Sequence, residues 1–156
     1  MSATAALLDL CRARGLRLAT AESCTGGLVG AMLTELAGSS DVFDCGFITY
    51  SNTAKMEMLG IAPATLGAHG AVSEQIATEM AAGALRHSLA DIAVSITGIA
   101  GPGGSEHKPE GRVCFAIARG DWMRTETVEF GAVGRANVRQ AAAQHAIALL
   151  KEAAER

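Results

Sequence analysis

A serine, a lysine and a glycine-rich run carry most of the chemistry this chain could do. Ser23 stands in Ala21-Glu22-Ser23-Cys24-Thr25-Gly26-Gly27, between a short apolar run and an amphipathic one. A hydroxyl placed there lies beside backbone N–H groups that the following helix cannot satisfy. Those groups and the helix dipole stabilise an oxyanion or a phosphate. Ser23 is therefore a candidate nucleophile, and the N–H groups around Thr25, Gly26 and Gly27, or those of Gly98–Gly101, are candidate oxyanion donors. The competing reading is that Thr20, Ser23 or Thr25 simply caps the helix. Cys24 is a rival nucleophile, although free cysteines are commonly inert buried residues.

Lys55 ends Tyr50-Ser51-Asn52-Thr53-Ala54-Lys55, in a chain that uses ten arginines and three lysines. Arginine cannot give up its proton, whereas a desolvated lysine serves as a general base. The plain alternative is a lysine on a helix surface. The third segment, Thr97-Gly98-Ile99-Ala100-Gly101-Pro102-Gly103-Gly104-Ser105, is able to cradle an anion with its backbone N–H groups. It is neither a Walker motif nor a dinucleotide fingerprint, so an ordinary surface loop stays open as a reading. The four histidines are scattered without ligand spacing, which predicts no metal site, and GxSxG is absent.

The elements that must position these residues follow from periodicity. Helices are predicted over Thr4–Ala13, from Leu28 to about Leu36, over Thr53–Leu59, from Ser73 as N-cap to about Leu89, and from Arg135 to Lys151. Strands are predicted over Leu16–Thr20, Val42–Ser51, Asp91–Thr97, Arg112–Arg119 and Trp122–Phe130, with a hairpin at Gly120-Asp121 and loop over Leu66–Val72. Val113, Phe115 and Ile117 alternate with Cys114, Ala116 and Ala118, so a helix should pack closely on the small face. Charges in the last strand place it at an edge. Strands separated by helices pair in parallel, and the hairpin adds an antiparallel pair. The expected fold is a three-layer α/β/α sandwich on a mixed, partly parallel sheet, formed by residues 1–156 as one domain. In such sheets, sites lie beyond the carboxyl ends of strands, where all three segments fall.

Composition narrows the function classes. Of 156 residues, 49% are hydrophobic and 19% charged, which suits a packed core and excludes a disordered chain. A net charge of -3 and only 4% aromatics disfavour a nucleic-acid partner. No leader and no apolar run of spanning length is visible, and the four cysteines lack paired spacing. A cytoplasmic protein without membrane partners is expected.

Four ordered motifs carry a resemblance. They are the Ala21–Gly27 run, Gly46-Phe47-Ile48-Thr49-Tyr50-Ser51-Asn52-Thr53-Ala54-Lys55, Gly70-Ala71-Val72-Ser73, and Thr97–Gly104. Together they resemble the CinA C-terminal domain, over about residues 5–150 and in its stand-alone form. The resemblance implies a nicotinamide-nucleotide amidase that converts nicotinamide mononucleotide to nicotinate mononucleotide and ammonia in pyridine-nucleotide recycling. It implies no metal or organic cofactor, a small nucleotide as substrate, and a homodimer. Ser23 stands at the family's nucleophilic serine and Lys55 at the lysine that activates it, a Ser-Lys dyad. Tyr50, Thr97 and Gly98 match positions that orient the dyad or contact substrate. Arg139 and Gln140 resemble an Arg-Gln pair near the site, with Arg139 suited to a phosphate. Glu110 and Arg112 depart from the family pattern and bear on the loop's conformation or on substrate preference, leaving the dyad untouched. A binding module without chemistry, with a regulatory role, is the alternative from another class.

Overall fold

The computed structural model describes residues 1–156. Its elements in chain order are α1 (Ala3–Arg14), β1 (Leu18–Glu22), α2 (Leu28–Leu33), β2 (Phe43–Ile48), α3 (Asn52–Leu59), α4 (Pro63–His69), α5 (Glu74–Arg86), β3 (Ile92–Gly98), β4 (Arg112–Arg119), β5 (Trp122–Glu129) and α6 (Arg135–Glu155). The sheet runs in the order β2-β1-β3-β4-β5. The first three of these strands are parallel; β4 pairs antiparallel to β3, and β5 pairs antiparallel to β4. A mixed sheet with helices on both faces is the expected three-layer architecture.

Alternation along the strands sorts the two faces. Ile92, Val94, Ile96, Val113, Phe115 and Ile117 enter one core with Leu7, Leu8 and Cys11 of α1, Val29 and Leu33 of α2, and the inner face of α6. On the opposite face Ala19, Ala21 and Ala93 meet Leu59, Ile76, Met80 and Ala84, while Cys114, Ala116 and Ala118 meet Ala77 and Ala81. The small residues of β4 thus let α5 approach closely, as the pattern requires. Every residue of β1 is buried, because strands flank it on both edges and helices cover both faces. β5 is the edge strand its charges predict. Gly120, at φ 58, opens the two-residue hairpin between paired Arg119 and Trp122.

Some boundaries differ from the sequence reading. Residues 63–69 form α4 where loop was expected over Leu66–Val72; Pro63 starts that helix at a position where a missing N–H costs nothing. α2 stops at Leu33 and does not reach Leu36, since the Thr34 hydroxyl turns back onto the carbonyls of Gly30 and Ala31. β1 runs on through Ala21 and Glu22, which were assigned to the turn. α5 ends at Arg86, and α6 continues past Lys151 to Glu155.

Candidate functional site

The chain leaves β1 for β2 on one side, while β3 flanks β1 on the other, so a crevice opens at the carboxyl ends of β1 and β3. Ser23 follows β1 directly and is still tied to β3, its N–H donating to Ile96 O at 2.9 Å. Thr97 and Gly98 close β3 beside it. Lys55 arrives from the helical layer on α3. That helix starts at the Ser51 cap, whose hydroxyl accepts from Ala54 N, and ends at Gly60 in the left-handed region. Two turns are long enough to put Lys55 and Leu59 on one inward face. Leu59 enters the core, and Lys55 is drawn in with it to 1% exposure. α5 supports the end of α3 closely: a Cβ on Gly83 would stand 2.3 Å from Leu59 O.

The Lys55 amine lies 3.0 Å from Ser23 Oγ and donates to Thr49 O at 2.8 Å. No carboxylate lies within salt-bridge distance of it. Burial therefore dominates and holds the amine below the usual lysine range. A neutral amine has one lone pair, which can accept the Ser23 hydroxyl proton while an N–H keeps its bond to Thr49 O. Ser23 itself is 8% exposed, at the floor of the crevice.

Glu22 was not foreseen as part of the site. Its carboxylate is 1% exposed and takes over the α2 N-terminus. Oε1 accepts from the Thr25 hydroxyl at 2.6 Å, Gly27 N at 3.2 Å and Val29 N at 3.0 Å, and Oε2 accepts from Gly30 N at 3.0 Å. Ser23 is thereby released from capping. The same bonds correct one expectation: Gly27 N–H is committed to Glu22, and Gly26 N–H closes the turn onto Ser23 O. Neither is free for an oxyanion. The N–H groups of Cys24, Thr25, Ala100 and Gly101 donate to no protein acceptor.

A cavity of about 320 Å³ opens above this floor. Ser23, Lys55, Tyr50, Thr97 and Gly98 all line it, as does the glycine-rich run to Glu106. Thr97 also anchors Ala71 O through its hydroxyl at 2.8 Å, holding the Ala71-Val72 wall. Thr25, Gly26, Arg139 and Gln140 do not line the cavity. Arg139 sits behind the turn, its Nε on Cys24 O at 3.1 Å and its Nη2 on Thr25 O at 3.2 Å, and Gln140 is exposed on α6. The sequence reading passed over Asn52 and Arg135, both of which line the wall. Arg135 was legible only as the first residue of a helix, a position where a basic side chain runs against the dipole.

The loop itself is braced. Lys108 donates to His69 O at 2.6 Å and Val72 O at 2.5 Å, bolting the loop to the α4–α5 connection. Glu110 accepts from Gly103 N, and Arg112 pairs with Glu129 at 2.6 Å. Of the two departures from the family pattern, Glu110 thus braces the glycine-rich loop, whereas Arg112 pairs across the β4–β5 ladder. Cys24 is 3% exposed, and burial pushes its thiol up to about 12, which leaves almost no thiolate near neutral pH. No group of three or more His, Cys, Asp or Glu side chains is arranged to hold a metal. No helix is long and apolar enough to cross a membrane.

The fold and floor define an α/β/α protein with a buried serine–lysine contact at the carboxyl ends of parallel strands. The chain belongs to the CinA C-terminal domain family, which it matches over residues 1–154. It is 54% identical over 140 residues to a CinA-like protein of Syntrophobacter fumaroxidans, covering 89% of this chain and 33% of that protein. It is 59% identical over 108 residues to the nicotinamide-nucleotide amidohydrolase PncC of Escherichia coli K12, covering 69% of this chain and 66% of that one. The solved competence/damage inducible protein CihA of Agrobacterium tumefaciens superposes with a TM-score of 0.91 at 43% identity, covering 100% of this chain and 98% of the other. The chain thus spans about a third of the length of the CinA-like relative and about two thirds of PncC.

Proposed function

We propose that this protein is a nicotinamide-nucleotide amidase, with Ser23 as nucleophile and Lys55 as its base. The observation that carries the reading is the 3.0 Å contact between Lys55 Nζ and Ser23 Oγ, with the lysine at 1% exposure. The likeness to PncC supplies the substrate class. Neutral Lys55 takes the Ser23 proton as Oγ attacks the carboxamide carbon of nicotinamide mononucleotide. The oxyanion is met by amides that have no other acceptor, beside Ser23 and at Ala100–Gly101. Lys55 then gives its proton to the leaving nitrogen, and ammonia departs. Water, deprotonated by the same amine, opens the ester to nicotinate mononucleotide and restores the serine. The product belongs to pyridine-nucleotide recycling, and the protein acts as a homodimer.

The test is ammonia release from nicotinamide mononucleotide by wild type and Ser23→Ala, with a chelator present. Release by wild type alone is expected. Equal release by both would remove Ser23 from the reaction. Silence from folded wild type would overturn the amidase reading and favour a module that only binds nucleotides.

A further inference from the structure

The cavity is graded from floor to rim. At its floor Ser23 and Lys55 are nearly closed off from solvent, and burial disfavours the lysine's charge. At its rim stand Tyr50, 57% exposed, and exposed Arg135. A ligand that sends a neutral amide to the floor leaves its other end at that rim.

We propose that Arg135 holds the anionic, phosphate-bearing end of the substrate and sets the preference for a nucleotide over its nucleoside. The inference rests on the amidase reading for the substrate's other end. Arg135 Nη1 donates to Gly101 O at 2.7 Å, and Nη2 donates to Tyr50 Oη at 2.6 Å. Both acceptors are neutral, and no carboxylate pairs with this guanidinium. No acidic residue occupies the first turn of α6. A guanidinium has five N–H donors, so after these two bonds Nε and one hydrogen on each terminal nitrogen are still to be satisfied. Its charge is therefore uncompensated. Its position is fixed from two separate segments, and a fixed fork of donors suits a phosphate. Arg139, the arginine that the resemblance suggested for this role, is turned onto Cys24 O and Thr25 O and does not line the cavity. The one carboxylate in the lining, Glu106, lies 3.9 Å from Lys108 Nζ, which moderates its repulsion of an anion.

The experiment compares kcat/KM for nicotinamide mononucleotide and nicotinamide riboside in wild type, Arg135→Ala and Arg135→Lys. Arg135→Ala should lose about 10- to 100-fold on the nucleotide, chiefly through KM, which is the worth of a charge-assisted hydrogen bond. Its loss on the riboside, which carries no phosphate, should be far smaller, and Arg135→Lys should recover part of the nucleotide loss. Equal losses on both substrates would overturn the inference, because Arg135 would then only brace Tyr50 and Gly101. No loss on either would overturn it as well. Titration of wild type and Arg135→Ala with inorganic phosphate by calorimetry separates this inference from the amidase reading. Phosphate binding that disappears in Arg135→Ala supports the subsite even if no ammonia is ever released. Ammonia release with no phosphate binding and no preference for the nucleotide defeats the subsite alone.

Discussion

Replacing Glu22 with glutamine tests how the Ser23 turn is held. The two side chains are nearly isosteric, so packing is preserved and only charge and acceptor number change. Glu22 Oε1 serves three donors, so the glutamine oxygen should stay there and its NH2 should replace Oε2. That NH2 would then face Gly30 N–H, a donor against a donor, where a 3.0 Å bond existed. A buried N–H left without an acceptor costs about 1–3 kcal/mol. Loss of the negative charge at a helix N-terminus costs about 0.3–1 kcal/mol more. Glu22→Gln should therefore lose about 1–4 kcal/mol, lowering the melting temperature by roughly 3–15 °C in a chain of this size. Urea unfolding followed by circular dichroism measures it, with an unchanged slope showing that the loss is in the native state. A stability within about 0.5 kcal/mol of wild type would refute the reasoning, since surface changes alone give that much. The carboxylate would then be exchanging freely with water, and the turn would have another support.

Lys55 makes stability depend on pH in a definite sense. Burial places its folded pKa below the ordinary lysine value of 10.5, so between the two the unfolded chain binds a proton that the folded chain does not. Stability relative to Lys55→Met should therefore rise with pH up to about 10.5 and then level, as read from urea midpoints. A difference flat with pH would contradict a neutral buried amine. Turnover should likewise increase with pH until the folded amine has lost its proton. Cys24→Ala should keep turnover within an order of magnitude of wild type, because a thiol pushed up to about 12 supplies no nucleophile; abolished ammonia release from a folded variant would reopen the cysteine route.

Much of the scaffold was legible because hydrophobic periodicity has physical content. The alternation in Arg112–Arg119 marked a strand with one large and one small face, and the small face receives α5. Ser73 gave away a helix start through its capping chemistry, whereas Ser51, read as the end of a strand, did not. α4 was missed because Pro63 reads as a breaker unless its place at N1 is considered. At the site, Ser23, Lys55 and Thr97 stood out by residue type and by ending strands or opening helices. Glu22 did not, because a carboxylate inside an apolar strand reads as a turn residue until its four donors are in place. Nor did the division of labour between Arg135 and Arg139, four residues apart on one helix. One faces the cavity and the other faces the turn, and only the packing angle of α6 decides which.

The way α6 is used has a consequence for biosynthesis. It is made after all five strands, yet its Val138, Ala142, Ala146, Leu149 and Leu150 fill the same core as Leu7, Leu8 and Cys11 of α1. Its Arg139 also holds the carbonyls of Cys24 and Thr25, the two residues that follow Ser23. Until α6 is made, the face of the sheet that it covers has only α1 and α2 against it, and the Ser23 turn has no back wall. Folding on that face therefore waits for contacts between α1 and α6, which lie far apart in sequence and close a long loop. The nascent chain exposes β3 and β4 on that face until then, which makes this interval the one in which a chaperone matters most. Chains truncated within α6 should be lost to aggregation before they could ever act on a substrate.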